Sequence, residues 1–301
     1  AALLIFFGLR LLPTTRPAVR RSLDLAGMVT LAILLAALTF GISQIDTSRF
    51  VSSLTSLAVW PFLLLFLVLI PIFRKVERHA VDPVLRFELF NSRQVFLASL
   101  LAVGAGVGEA SIVFVPSLLV AAFDVTSSNA SFMLLPAVLA LAVGAPLAGM
   151  GLDRVGSRWV VMAGSLVLTV GMAMVGLAPL SLALFYTAAI LVGLGLSSLL
   201  GAPLRYIMLN EAPAEIRAAA QGAITVLTGV GQLFSGALVG AIAASRGGGV
   251  DGYRAAYLGI AIVSLLLFFI SAGLKGRAQE RAMASRQQES MHAQPFQPTT
   301  L

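Results

Sequence analysis

Residues 131–178 read SFMLLPAVLALAVGAPLAGMGLDRVGSRWVVMAGSLVLTVGMAMVGLA. Two uninterrupted apolar runs, 131–152 and 159–178, are joined here by a short charged loop. Each run has about 20 residues, the length that an α-helix needs to cross a hydrocarbon core of about 30 Å. Backbone polar groups in hydrocarbon need partners within the protein, and unbroken apolar runs without strict alternation favour helices over a β-barrel. The stretch therefore predicts a helical hairpin that crosses a membrane twice.

The same pattern recurs along the chain, so we predict an all-α polytopic membrane protein with eight complete transmembrane helices. The six further apolar segments are 25–44, 57–73, 95–123, 182–204, 218–244 and 253–274. The composition agrees, because 58% of the residues are hydrophobic and 11% are charged, against about 25% charged in an average globular protein. The chain has no Cys, and His79 and His292 lie outside the apolar segments, so we expect no metal site and no cofactor.

The first nine residues form an apolar run that ends at Arg10. At 1.5 Å per residue such a run reaches about 13 Å, roughly half of the hydrocarbon core. A free amino terminus at that depth is costly. We therefore predict that residues 1–12 are the end of a truncated transmembrane helix, and that the chain is the C-terminal portion of a longer protein.

The apolar segments differ in their content of small residues. Segment 57–73 has no Gly, which suits a surface that faces lipid, whereas Gly104/Gly108 and Gly236/Gly240 have the GxxxG spacing that lets helix backbones approach closely. The tight bundle is therefore expected in the last six segments. The predicted organisation is two peripheral linker helices and a cytoplasmic connector in 13–93, a six-helix bundle in 94–274 and a disordered tail in 275–301.

Basic residues are distributed unevenly between alternate loops. Of the 20 Lys and Arg, 17 lie in one set of loops, and only Arg49, Arg246 and Arg254 lie in the other. By the positive-inside rule we predict a multi-pass protein of the cell membrane with a cytoplasmic C-terminus. Tyr253 and Tyr257 then fall near the outer end of the last span, in an interfacial belt. The net charge of +7 follows from topology, and no basic stretch with interleaved aromatic residues points to nucleic acid.

The loop between the first two runs is Gly149-Met-Gly-Leu-Asp153-Arg154-Val-Gly156-Ser157-Arg158. Gly156 can supply the turn of a short hairpin, and Gly149 would allow a close helix crossing. The charges of Asp153 and Arg154 can pair with each other or with neighbouring helix ends. These residues predict a latch that forms in one conformation and is released in another. The alternative is a solvated turn whose arginines set the topology.

This loop resembles the signature loop of the major facilitator superfamily in its second copy, although that family usually has a basic residue at the position of Ser157. Other stretches resemble the fourteen-helix drug:proton antiporters of the same superfamily. These stretches are 10–13 with 23–27, 82–83 with 89–90, 135–136, 201–204, and Pro213-x-Glu215-x-Arg217. The resemblance covers the chain from its first residue to about residue 274.

The resemblance implies an architecture and a set of partners. The chain would start at the end of helix six, continue through an extra helix pair, and finish with the C-terminal six-helix domain. Glu215 and Arg217 would belong to the same conformational latch as the signature loop. The partners implied are a small-molecule substrate, protons, the lipid bilayer and a missing N-terminal six-helix half.

Glu109 is flanked by more than ten uncharged residues on each side within segment 95–123. A charge at such a depth costs about 2.5–3.5 kcal/mol on insertion scales, so it should face a wet cavity or carry a proton. A buried carboxyl group holds its proton tightly and loses it when a cation binds beside it, which is the physical basis of antiport. The alternative is a Glu that reaches the outer surface or bonds to Ser111. Gln232 either faces the central cavity or ties two helices together.

These observations predict a secondary active transporter that exports small amphiphilic compounds or drugs by alternating access, in exchange for protons. An enzyme is not expected, because the apolar segments contain no His pair, no Asp pair and no HExxH or P-loop sequence. Two alternatives stay open. The chain could be a truncated membrane fragment that transports nothing, or a facilitator for another small solute.

Overall fold

The computed structural model describes residues 24–46, 49–80, 83, 87–179, 181–213, 216–280 and 282. Within these residues the regular structure is helical, with no β-strand. The helices are α1 (Leu25–Ser43), α2 (Phe50–Leu54), α3 (Trp60–His79), a 3₁₀ helix (Phe87–Asn91), α4 (Arg93–Phe123), α5 (Ser127–Phe132), α6 (Leu135–Val155), α7 (Ser157–Leu177), α8 (Leu182–Leu200), α9 (Ala202–Glu211), α10 (Arg217–Ser245) and α11 (Val250–Ser271). The predicted stub 1–12, Glu215 and residues 283–301 lie outside the described residues.

Seven helical segments among the described residues are long and apolar enough to cross a membrane, one fewer than predicted. The difference is α3, whose last turns carry Arg74, Lys75, Glu77 and Arg78. Its apolar part, 60–73, has 14 residues and is about 21 Å long at 1.5 Å per residue. This helix therefore needs its charged end to lie at the membrane surface. The structure is an all-α polytopic arrangement, as the sequence predicts.

The core of the bundle lies where α4, α7, α8 and α11 meet. Leu101, Leu168 and Leu196 are fully buried there. Tyr257 of α11 is also buried, with 2% of its surface exposed, and its hydroxyl donates to the backbone oxygen of Ser111 at 2.9 Å. The expectation that Tyr257 lies in an interfacial belt is therefore wrong, because a buried backbone acceptor satisfies its hydroxyl.

Helices α1 and α3 pack against each other, and α1 also contacts α10 of the bundle. On α3, Leu64, Leu65, Leu67 and Val68 are exposed. An exposed row of large aliphatic side chains suits contact with lipid chains. The pair therefore lies against one side of the bundle, with a lipid-facing surface of its own.

The predicted segment 182–204 continues further than the sequence suggested. Helix α8 ends at Leu200, and after the single cap residue Gly201 helix α9 begins at Ala202 and runs to Glu211. Pro203 lies in the first turn of α9, where its missing N–H costs no hydrogen bond. Arg205, which was expected in a loop, therefore lies on a helix.

The start of the predicted tail is ordered, so the expectation of disorder from residue 275 is wrong for its first residues. A helical turn begins at Arg277. Glu280 in this turn is buried, with 8% of its surface exposed. Contacts with the loop between α6 and α7 hold this turn in place, and composition alone did not reveal those contacts.

Candidate functional site

The backbones of α4 and α10 cross in direct contact. A Cβ atom on Gly106 of α4 would lie 2.0 Å from the backbone oxygen of Thr228, and one on Gly231 of α10 would lie 1.9 Å from the backbone oxygen of Val103. Ser235 adds a hydrogen bond from its hydroxyl to the backbone oxygen of Val107, at 3.0 Å. Only glycine fits at these two positions, and the crossing fixes the relative height of the two helices.

The glycine pairs that were predicted from their GxxxG spacing do not form this crossing. Gly104 and Gly108 pack against Leu267 and against Leu196 with Leu168, respectively. A Cβ on Gly236 or Gly240 would meet no described atom within 4 Å. The close contact of α10 therefore uses Gly231, whereas Gly236 and Gly240 face away from the described helices.

The crossing brings Glu109 and Gln232 to one cavity of about 290 Å³, which is formed by α4, α8, α9 and α10. Glu109 and Gln232 both line this cavity, and each is half-buried. Apolar walls and two hydroxyl groups complete the cavity. Its remaining lining residues are Leu199, Leu200, Gly201, Leu204, Arg205, Ile224, Thr225, Thr228 and Gly229.

Arg205 lines the same cavity, which sequence reasoning did not anticipate. Its Nη1 lies 3.4 Å from Oε1 of Gln221, and Nε2 of Gln221 donates to the backbone oxygen of Arg205 at 2.9 Å. These contacts tie α9 to α10 beside the cavity. The available signal was Pro203 two residues after Gly201, a position at which Pro can start a new helix. The cavity therefore combines a carboxyl group, an amide, hydroxyls and a guanidinium.

The loop between α6 and α7 is a tight turn at Gly156, whose φ is +88°. A side chain at this φ would be strained, so the prediction that Gly156 makes the turn is confirmed. Asp153 and Arg154 are exposed, and neither forms an ion pair with a described residue. Gly149 has no described atom within 4 Å of its hypothetical Cβ, so the expected close helix crossing is not found there in the described structure.

The C-terminal turn provides partners for this loop. Nη2 of Arg277 donates to the backbone oxygen of Asp153 at 2.6 Å. The Glu280 carboxylate accepts from the hydroxyl of Ser157 and from its backbone N–H, the latter at 3.4 Å. Ser157 is the first residue of α7, so the carboxylate also lies at the positive end of the helix dipole. Sequence reasoning missed Arg277 and Glu280, although their three-residue spacing places both on one helix face.

The remaining predicted latch residues are Arg158, Arg217 and Glu215. The guanidinium of Arg158 lies over the ring of Trp159, 5.9 Å from its centroid. Arg217 is the first residue of α10. Glu215, its predicted companion, lies outside the described residues.

The sequence matches the Major Facilitator Superfamily over residues 95–300, which is more than half of the chain. The chain belongs to the major facilitator superfamily. The match begins with α4, so it includes the cavity of Glu109 and Gln232 and the loop at Gly156. This superfamily is one of membrane transporters.

A curated relative agrees with this family. The chain is similar to the uncharacterised MFS-type transporter YfiU of Bacillus subtilis (strain 168), with 26% identity over 235 residues. The similar region is 77% of this chain and 45% of the relative. The chain therefore spans less than half of the length of the curated relative that it matches.

A second polar cluster in this superfamily member joins α4, α9 and the end of α11. Nζ of Lys275 lies 2.5 Å from Oε1 of Glu211, and the hydroxyl of Ser92 donates to Oε2 of the same carboxylate at 2.7 Å. Gln94 accepts from the backbone N–H of Lys275 at 2.9 Å. These residues were absent from the predicted site, because Lys275 was assigned to a disordered tail. Their contacts place the start of the C-terminal turn.

Proposed function

We propose that this chain is the C-terminal part of a proton-coupled exporter of small amphiphilic compounds, including drugs, that works by alternating access in a cell membrane. The observation that carries the proposal is the shared cavity of Glu109 and Gln232. A carboxyl group inside a membrane bundle is costly and is typical of an ion or substrate pathway. Here it lies next to an amide that can both donate and accept hydrogen bonds.

The cavity chemistry suggests how the exchange works. In this proposal the carboxyl group of Glu109 carries the exchanged proton. A cationic amphiphile that binds in the cavity takes the place of that proton beside the carboxylate, so one proton leaves for each cation that enters. Gln232, Thr225 and Thr228 offer hydrogen bonds, and the aliphatic walls accept the apolar part of the substrate.

The loop at Gly156 is proposed as the element that couples this exchange to the change of conformation. In this proposal its exposed Asp153 and Arg154 contact the N-terminal six-helix half of the same protein in one conformation and release it in the other. Arg277 and Glu280 hold the loop in shape in the conformation described here. The distribution of basic residues favours an orientation in which this loop and the C-terminus are cytoplasmic.

The test is transport by the intact protein in proteoliposomes, with tetraphenylphosphonium as the cationic amphiphile and an internal pH dye. We expect the cation to drive proton movement in the wild type and not in Glu109→Gln. Asp251→Asn is the matched control, since Asp251 is an exposed carboxylate in the first turn of α11, outside the cavity. Its proton flux should equal that of the wild type.

The outcomes separate the proposal from its alternatives. Equal proton flux in Glu109→Gln and the wild type would exclude Glu109 as the coupling residue. Movement of tetraphenylphosphonium without any proton flux in the wild type would favour a facilitator. Absence of both from the intact wild-type protein would contradict export of cationic amphiphiles.

A further inference from the structure

A second cavity, of about 980 Å³, lies between the peripheral pair α1 and α3 and the bundle helix α10. The transport site does not use it. Its apolar wall consists of Leu31, Leu34, Leu35 and Leu38 on α1, Phe66 and Ile70 on α3, and Val230 on α10. The spacings of three and four residues place each set on one face of its helix. The cavity is thus a slot between helices with apolar walls.

The same slot has a basic end. Arg74 and Arg78 also line it, one and two turns beyond Ile70 on the same face of α3. Both side chains are exposed, and within the described part of the chain neither forms an ion pair. Two guanidinium groups four residues apart can bind one phosphate group from both sides, and guanidinium is the side-chain group best matched to phosphate.

Two carboxylates near the basic end do not cancel this charge. Glu77 is 3% exposed, and its Oε1 would lie 2.8 Å from a Cβ on Gly27, in the first turn of α1. Glu77 also lines the cavity, but it has an interaction partner of its own within the protein. Glu88 lines the cavity from the 3₁₀ helix and is exposed to solvent, as the two arginines are. The charges that an occupant meets at the head of the slot are therefore Arg74, Arg78 and Glu88, which leaves an excess of one positive charge.

We propose that this cavity is a binding site for one anionic phospholipid. Its phosphate is bound by Arg74 and Arg78, and one acyl chain lies along the leucine face of α1. Basic pockets between transmembrane helices at the cytoplasmic side recognise anionic head groups, and the positive-inside pattern places these arginines on that side. A bound lipid fills the gap between the peripheral pair and the bundle, so it acts as a structural link between α3 and α10.

Native mass spectrometry of the intact, delipidated protein tests this proposal by titration with dioleoylphosphatidylglycerol and, separately, dioleoylphosphatidylcholine. We expect one phosphatidylglycerol to bind more tightly than phosphatidylcholine. Arg78→Gln should weaken phosphatidylglycerol binding about fivefold, the effect of about 1 kcal/mol for one basic residue at a membrane surface. Lys75→Gln is the matched control, because Lys75 lies on the same turn but does not line the cavity. Its affinity should change less than twofold.

A second pair of variants tests the acyl-chain wall. Leu35→Trp fills the cavity and should abolish the tight site, whereas Ile33→Trp adds the same ring to a surface that is 47% exposed and should leave the site intact. Equal binding of the two lipids by the wild type, or equal weakening by Arg78→Gln and Lys75→Gln, would overturn the proposal. Displacement of the lipid by equimolar glycerol phosphate would also overturn it, because the site would then be a simple phosphate site.

Discussion

Replacing Gly231 with Ala tests the crossing of α4 and α10, on which the positions of Glu109 and Gln232 depend. The new Cβ would lie 1.9 Å from the backbone oxygen of Val103, whereas real Cβ contacts are essentially never below 3.0 Å. The two helices must therefore move apart by about 1 Å, and such overpacking costs about 1–3 kcal/mol. The better helix propensity of Ala returns about 0.5–1 kcal/mol. The expected net loss in the free energy of unfolding is about 0–2.5 kcal/mol and is centred near 1 kcal/mol.

Thermal unfolding of the intact protein in detergent measures this loss. A change of 1 kcal/mol shifts Tm by about 2–4 °C in proteins of 150–250 residues, so the central estimate for Gly231→Ala is a Tm lower by about 2–4 °C. Gly259→Ala is the matched control, because its Cβ would meet no described atom within 4 Å. Its Tm should be equal to that of the wild type or slightly higher, since only helix propensity changes. A Gly231→Ala protein as stable as the control would refute the close crossing.

Two further changes probe the loop between α6 and α7. Glu280→Gln removes the charge that caps α7 at Ser157, and we expect it to lower the free energy of unfolding by about 1–2 kcal/mol, measured as a lower Tm. The control Gln279→Ala should change Tm by less than half as much. Equal shifts in the two variants would show that the charge of Glu280 does not stabilise α7. Asp153→Asn should slow the transport of tetraphenylphosphonium more than it weakens the binding of this cation. Flux measurements report transport, and equilibrium dialysis reports binding. A defect confined to binding would argue against a latch at this loop.

Much of the architecture could be predicted from the sequence, because apolar length and the spacing of charges reflect the constraints of a membrane directly. The hairpin of α6 and α7 and the turn at Gly156 agree with those patterns. The prediction of a complete span at 57–73 did not hold, because the apolar part of α3 is shorter than a full span and its last turns are charged. Helix α9 was also missed, because Gly201 and Pro203, two residues apart, can mark the end of one helix or the start of the next.

The candidate site could be predicted only in part. Glu109 and Gln232 were recognised because polar side chains are rare in apolar runs, but their separation of more than 100 residues hid their shared cavity. Arg205 and Glu280 were not recognised, since their roles come from tertiary contacts and not from local pattern. Long-range packing, here the contact of Gly106 and Gly231 with facing backbones, decides which polar groups meet.

The most direct test of the central claim is the number of protons released when tetraphenylphosphonium binds to the intact protein in weakly buffered detergent solution. If Glu109 exchanges a proton for a cation in the cavity that it shares with Gln232, the wild type releases about one proton per bound cation. Glu109→Gln then releases none, while Asp251→Asn behaves like the wild type. Equal proton release by Glu109→Gln and the wild type would contradict the assignment of this cavity as the site of exchange.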